Sequence, residues 1–285
     1  MIEVFAPAKI NLALHVTGRR EDGYHLLDTL VAFAPVGDTL RLRPAPGLSL
    51  TVSGPEGAAV PAGSENLVLR AAAFVPGAGG AEIELIKRLP TASGIGGGSS
   101  DAAAMLRGLA HLRAVTVPAE GLERLGADVP MCLSPHPARV TGIGERIVPV
   151  TLPDLPAVLV NPRVAVATPA VFRALSRRDG APMPDLPVFA RISDCIDWLS
   201  AQRNDLEAPA VALAPEIGAV LGALRQTAGC RLARMSGSGA TCFGLFATMA
   251  GAEAAADALR ATHPGWWVAS GALGDQAVRS APQPV

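Results

Sequence analysis

Apolar and polar residues alternate along the first part of the chain in the two-residue rhythm of half-buried strands. Residues 2–5, 10–17 and 26–34 carry it. In the second of these, Ile10, Leu12 and Leu14 fall on one face and Asn11, Ala13 and His15 on the other. Residues 39–43 and 48–53 read as a hairpin around the turn at 44–47, and 81–87 as a further strand. Helical content follows over 65–74, 101–112 and 119–125, and strand pattern returns over 138–150. A proline-rich bend at 153–156 then divides the chain into two domains, 1–153 and 154–285. The second opens with a strand at 157–160 and carries helices at 192–201, 205–213 and 216–227. Strands at 231–235 and 241–246 flank a Gly-Ser-Gly turn, followed by a helix at 250–262 and a last strand at 266–272. This closing β–β–α–β order predicts an α+β split layer and not a doubly wound sheet. Segment 180–187 reads as a surface loop, and the tail after Asp275 as frayed.

Composition adds limits. With 49% hydrophobic and 17% charged residues, the chain has the apolar surface for real cores and is not disordered. Aromatics are only 4%, against 30 glycines and 25 prolines, so the cores are packed by Ala, Val and Leu between sharp turns. Lys and Arg total 24 against 25 Asp and Glu, a net charge of −1 that excludes binding of nucleic acid through bulk positive charge. Cys132, Cys195, Cys230 and Cys242 are far apart, which predicts small buried hydrophobes in a reducing compartment, without disulfides or zinc. The first residues lack a basic start and carry Lys9 inside an apolar run, unlike a signal or transit peptide. The apolar stretch 206–224 is broken by Glu207, Pro209, Pro215 and Glu216, so it is not a membrane span. The expectation is a cytoplasmic protein with neither nucleic acid nor membrane as partner; the pattern leaves its oligomeric state open.

The strongest chemical signal is the run Pro90, Thr91, Ala92, Ser93, Gly94, Ile95, Gly96, Gly97, Gly98, Ser99 and Ser100, followed by Asp101. It lies between a strand and an alanine-rich helix. Glycines let backbone N–H groups converge on an anion, and the helix N-terminus adds unpaired donors and partial positive charge, which suits phosphate. Ser99 and Ser100 supply hydroxyls, and a Ser or Asp here is suited to cap the helix. Gly97 is the expected point of closest approach to phosphate, so that Gly97→Val would weaken binding of the phosphate-bearing ligand selectively. No Lys follows the glycines as a Walker A motif requires, and a Rossmann unit is not formed. Three further motifs are ambiguous singly. Lys9 and Asn11 flank Ile10 on a strand, Asp128 sits in the small-residue turn Gly126-Ala127-Asp128-Val129-Pro130, and Ser236-Gly237-Ser238-Gly239-Ala240-Thr241 closes a hairpin. Alone, these are a solvated lysine, a turn former and a turn.

In this order the four motifs resemble those of the GHMP kinases. Asp22-Gly23-Tyr24-His25 after Thr17-Gly18-Arg19-Arg20, Lys87-Arg88-Leu89-Pro90 before the glycines, and Asn204-Asp205-Leu206-Glu207 narrow the likeness. They are similar to the branch whose small-molecule substrate carries a cytidine diphosphate group, in the non-mevalonate route to isoprenoid precursors. The likeness runs from residue 5 to about residue 247. Thr91-Ala92-Ser93 stands where the family usually has glycine and methionine, and 76–80 and 112–120 are short.

The resemblance implies a two-domain α+β GHMP kinase fold. Its N-terminal nucleotide-binding domain has a left-handed βαβ crossover, its C-terminal domain is ferredoxin-like, and the substrate lies between them. It implies transfer of the ATP γ-phosphoryl group, with Mg2+ accompanying the nucleotide and no metal ligand assigned, to the 2-hydroxyl of the substrate. Lys9 and Asp128 are then the catalytic pair, residues 90–100 the ATP phosphate loop, and Asn11, Tyr24, His25, Thr168 and Phe172 the substrate path. A carboxylate within reach accepts the alcohol proton, while Lys9 orients it and stabilises charge on the attacking oxygen. Tyr24 and Phe172 are expected to sandwich the cytosine, with His25 on its edge. Homoserine, mevalonate and galactose kinases share the glycine loop, and a non-catalytic nucleotide-binding regulator is the alternative from another class.

Overall fold

The computed structural model describes residues 1–77 and 79–285; residue 78, in the short 76–80 stretch, lies outside the described residues. The alternation at the start of the chain forms one long strand. β1 (Ile2–Arg19) pairs antiparallel with β2 (His25–Ala45) from end to end. Where the pattern breaks, the chain bulges without leaving the sheet, with register shifts between Pro7 and Lys9, Asn11 and Ala13, and Val16 and Gly18. β3 (Ser49–Ser53) does not form the expected hairpin with β2. It pairs parallel with β4 (Gly80–Ile86), which lies between them. A parallel pair needs a crossover, and α1 (Leu67–Phe74) supplies it by burying Val68, Ala71 and Ala72.

α2 (Gly97–Arg113) begins inside the glycine run. The expected helix at 119–125 is only a 3-10 turn, Leu122–Arg124, because Gly121 enters it in the left-handed region at φ 85. α3 (Val129–Leu133) follows. The predicted strand 138–150 is a hairpin of β5 (Ala138–Gly142) and β6 (Arg146–Pro149), turned through Gly142 and Gly144 at positive φ.

The second half opens with β7 (Leu155–Asn161) and α4 (Thr168–Arg173), the latter missed in the pattern. Then come α5 (Ile192–Ser200), α6 (Glu207–Leu213), α7 (Pro215–Gln226), β8 (Leu232–Met235) and β9 (Cys242–Leu245). α8 (Met249–Thr262), β10 (Trp267–Leu273) and β11 (Gln283–Pro284) end the chain. β7 to β10 form an antiparallel sheet in the order β10-β7-β9-β8, the ferredoxin-like arrangement.

Two loop expectations are corrected. The tail is not frayed, since β11 pairs with β1 and Arg279 lies over the Phe5 ring at 4.6 Å. Nor is 180–187 a free surface loop. Met183 is buried, its N–H bonds Asp28 at 2.8 Å, and Arg139 donates to its carbonyl at 2.6 Å. Among the described residues no helix is long and apolar enough to cross a membrane.

β1 joins the halves. Val4 and Ala6 pack in one core with α1 and α2, Ile10 and Leu12 in a second with β7 and β9, and Leu14 and Val16 in a third with α6, α7 and α8. Burying a residue such as Ile10 or Leu12 stabilises by roughly 1.5–3 kcal/mol. A register slip would forfeit that burial, so the opposite face, with Lys9 and Asn11, is fixed toward the space between the halves.

Candidate active site

The glycine run builds its site from the backbone. Gly96 takes the N-cap position of α2 at φ 66 and makes no side-chain cap. No serine or aspartate covers the helix start, so the first N–H groups of a 17-residue helix are left for an anion. Gly94, at φ 73, allows close approach: a Cβ there would sit 2.5 Å from the Gly239 carbonyl oxygen. A Cβ on Gly96 would lie 3.4 Å from the Lys9 side chain. Against the chain itself Gly97 has room, and it lines a cleft. A Cβ there meets Lys87 Nζ at 3.6 Å, an ordinary contact. Ala92, within the departure from the family pattern, stands at φ 50 in the left-handed region that favours glycine.

Two adjoining clefts open from this loop. One, of about 670 Å³, is lined by Pro90–Gly94 and Gly96–Ser99, closed by Asn66 and Leu67 on one side and Val166–Pro169 on the other. Ile95 and Ser100 do not line it. Ile95 is core, and the Ser100 hydroxyl is buried without a partner among the described residues. Behind the loop Lys87 is clamped between Asp38 at 2.5 Å and Asp101 at 2.7 Å. Burial pulls its ammonium down, but the charges of Asp101 and Asp38 outweigh this and hold it above the usual range. Burial pushes the Asp101 carboxyl up to about 8 against the attraction of Lys87, since two carboxylates share one cation there.

The second cleft, of about 720 Å³, shares Gly94, Gly96, Ser99 and Thr168 with the first. At their junction Lys9 Nζ lies 3.0 Å from Asp128 Oδ2 and donates to Asn11 Oδ1 at 2.9 Å. Asn11 Nδ2 donates to Thr29 Oγ1 at 2.8 Å, and that hydroxyl to the Ala13 carbonyl at 2.6 Å, which fixes the amide's orientation. Asp128 occupies the N-cap position of α3 without capping it, so its carboxylate is left to Lys9 and stands one-third exposed to the cleft. The Ser236–Thr241 turn closes over this pair, with Ser236 Oγ accepting from Asn11 N at 3.0 Å. Asn204 Nδ2 donates to the Met235 and Gly237 carbonyls at 2.8 Å each, so Asn204 and Glu207 support that turn from behind.

Farther out, Thr168 Oγ1 pairs with Ser238 Oγ at 2.7 Å, and Tyr24, His25 and Phe172 line the cleft. Within the cleft His25 stacks on Phe172, with ring centroids 4.8 Å apart and planes at 24°. Tyr24 is 62% exposed. Burial, then the charges of Arg178 and Arg19, hold the His25 imidazole below its usual range, and its Nε2 has no partner among the described residues. Motif reading quoted Lys87, Asp101 and Arg19 without giving them a place in the site, and missed Asn66 in the first cleft and Thr29 and Arg173 in the second. Asn66 carries an N-cap signal, accepting from Val68 N at 2.9 Å. Thr29 and Arg173 had no local signal. A helix start and glycine loop beside a paired lysine and carboxylate suit phosphoryl transfer to an alcohol.

Comparison with known proteins agrees with this geometry. Residues 66–136 match the GHMP kinases N terminal domain and residues 186–265 the GHMP kinases C terminal model. A 4-diphosphocytidyl-2-C-methyl-D-erythritol kinase of Roseobacter denitrificans is 56% identical over 99% of this chain and 97% of its own. The chain belongs to that kinase family. Its relative in Dinoroseobacter shibae is 60% identical, over 93% of this chain and 92% of the relative. A crystal structure of 4-(cytidine 5'-diphospho)-2C-methyl-D-erythritol kinase matches with TM-score 0.79 and 42% identity, covering 95% of this chain and 99% of that one. The homoserine kinase of Cytophaga hutchinsonii, at 19% identity and TM-score 0.65, shares the fold. The two-domain GHMP fold and membership of the cytidyl branch are as the motifs predict.

Proposed function

We propose that the chain phosphorylates the 2-hydroxyl of 4-diphosphocytidyl-2-C-methyl-D-erythritol with ATP, in the non-mevalonate route to isoprenoid precursors. The observation that carries this is the Lys9–Asp128 contact of 3.0 Å at the junction of the two clefts. ATP occupies the cleft of the glycine loop, its phosphates on the start of α2, in the domain formed by 1–153. The alcohol enters from the second cleft, toward 154–285. Asp128 accepts the hydroxyl proton late in the transfer, when the phosphorus–oxygen bond is forming. Lys9, held by Asn11, orients that carboxylate and stabilises charge on the attacking oxygen. Arg19 and Arg173, which line the second cleft, face the substrate's diphosphate.

Mg2+ bound with the nucleotide would neutralise charge on its phosphate oxygens, and Ser99, which lines both clefts, would offer it a hydroxyl oxygen, a hard ligand of the kind this ion prefers. The free thiols Cys132, Cys195, Cys230 and Cys242 fit the reducing cytoplasm, where such a metabolic kinase works.

Asp128→Asn keeps shape and removes the proton acceptor. Its kcat falls by roughly 10²–10⁴-fold, the range for general acid–base catalysis, with little change in either KM. A raised KM with kcat intact makes Asp128 a binding residue and removes the base assignment.

A further inference from the structure

Arg107 is a buried charge that the mechanism above does not use. It lies on α2, and burial pulls its guanidinium down to about 10, so it stays charged at neutral pH. Among the described residues no carboxylate pairs with it. Its bonds all go to main-chain carbonyls: Nη2 donates to Phe5 at 2.9 Å, Nη1 to Cys132 at 2.7 Å and Leu133 at 3.3 Å, and Nε to Ser280 at 3.1 Å.

The four acceptors lie on three separate segments around the site. Phe5 lies on β1 just before Lys9. Cys132 and Leu133 end α3, the helix that Asp128 opens. α2 itself begins at the phosphate loop. Ser280, fully buried, belongs to the tail that returns to β1. A guanidinium is a planar fork with fixed donor directions, so it holds these carbonyls in one mutual geometry. Burying such a charge without a counterion is costly, and a plain packing role would be filled more cheaply by an apolar side chain.

We propose that Arg107 is a positioning residue: it fixes β1 and α3 against α2, and so sets the Lys9–Asp128 contact relative to the glycine loop, with Ser280 completing its seat. This rests on the reading of Lys9 and Asp128 as the catalytic pair.

The test is a double-mutant cycle in the full chain. Arg107→Met, Arg107→Lys, Asp128→Asn and the two Arg107 variants combined with Asp128→Asn are compared well below their melting temperatures. Displacement of a catalytic group by about 1 Å costs on the order of 10²-fold, so Arg107→Met loses roughly that in kcat while both KM values stay within about threefold. Arg107→Lys, which retains the charge and part of the bonding, recovers some of the loss. In the Asp128→Asn background either change costs clearly less than in wild type, because no base remains to be misplaced and only the placement of Lys9 is still lost. If Arg107→Met does not fold, Arg107→Lys carries the same comparison. Losses that multiply in the double variant, or wild-type kcat in a folded single variant, overturn the proposal. Wild-type kcat in Asp128→Asn overturns the base assignment instead, and with it any action of Arg107 through Asp128.

Discussion

Lys9 donates to Asn11 and pairs with Asp128, and only the first of these contacts is visible along the chain. Two residues apart on a strand means one face, so the Lys9–Asn11 neighbourhood follows from local rules. Asp128 arrives from a turn that any Asp could occupy. At the outer end of the cleft, His25 covers one face of Phe172. A cytosine that takes that face must displace the imidazole, whose Nε2 has no partner to lose among the described residues. Loss of a stacking face costs roughly 1–3 kcal/mol, so Phe172→Ala raises KM for the cytidyl substrate about 5- to 150-fold. ATP KM stays near wild type. A folded Phe172→Ala protein with unchanged cytidyl KM removes Phe172 from the site.

At the scale of elements, the histidine on β1 makes a pH test. His15 Nδ1 lies 3.1 Å from the Ala181 carbonyl, and Nε2 accepts from the Arg203 N–H at 3.3 Å, which suits a neutral ring. Burial and the Arg203 charge depress its pKa below 6.5, although Ala181, Asp205 and Asp28 oppose them. Below pH 6.5 the unfolded chain takes up a proton that the folded chain resists, so stability is lost as pH falls. The melting temperature therefore drops between about pH 7 and about pH 5.5, and His15→Gln, which keeps a donor and an acceptor, flattens the drop. Parallel loss in both proteins rules out His15 as its source. Helices α5 to α8 and most strands were legible because amphipathic periodicity is local. The β3–β4 pairing was not, since strand order depends on which face α1 covers. Nor was the docked tail: β11 has two residues, too few to carry a period, and pairs with β1 while Arg107 holds Ser280 just before it.

Across the whole molecule, the candidate site lies where the halves meet. The glycine loop, Lys9 and Asp128 come from the first, while Thr168, Phe172 and the Ser236–Thr241 turn come from the second. Motif order recovered this assembly, because each motif marks one wall of the same pair of clefts. What it did not recover were supports such as Lys87 and Arg107, whose partners are distant in sequence and visible only after folding. Fold alone does not select a substrate, since homoserine kinase shares it. The most direct measurement is therefore ADP release by the purified chain with ATP, Mg2+ and one alcohol at a time. The account predicts turnover with 4-diphosphocytidyl-2-C-methyl-D-erythritol and none with homoserine, mevalonate or galactose. Turnover of one of those three in its place, or ATP binding with no turnover of any, would contradict it.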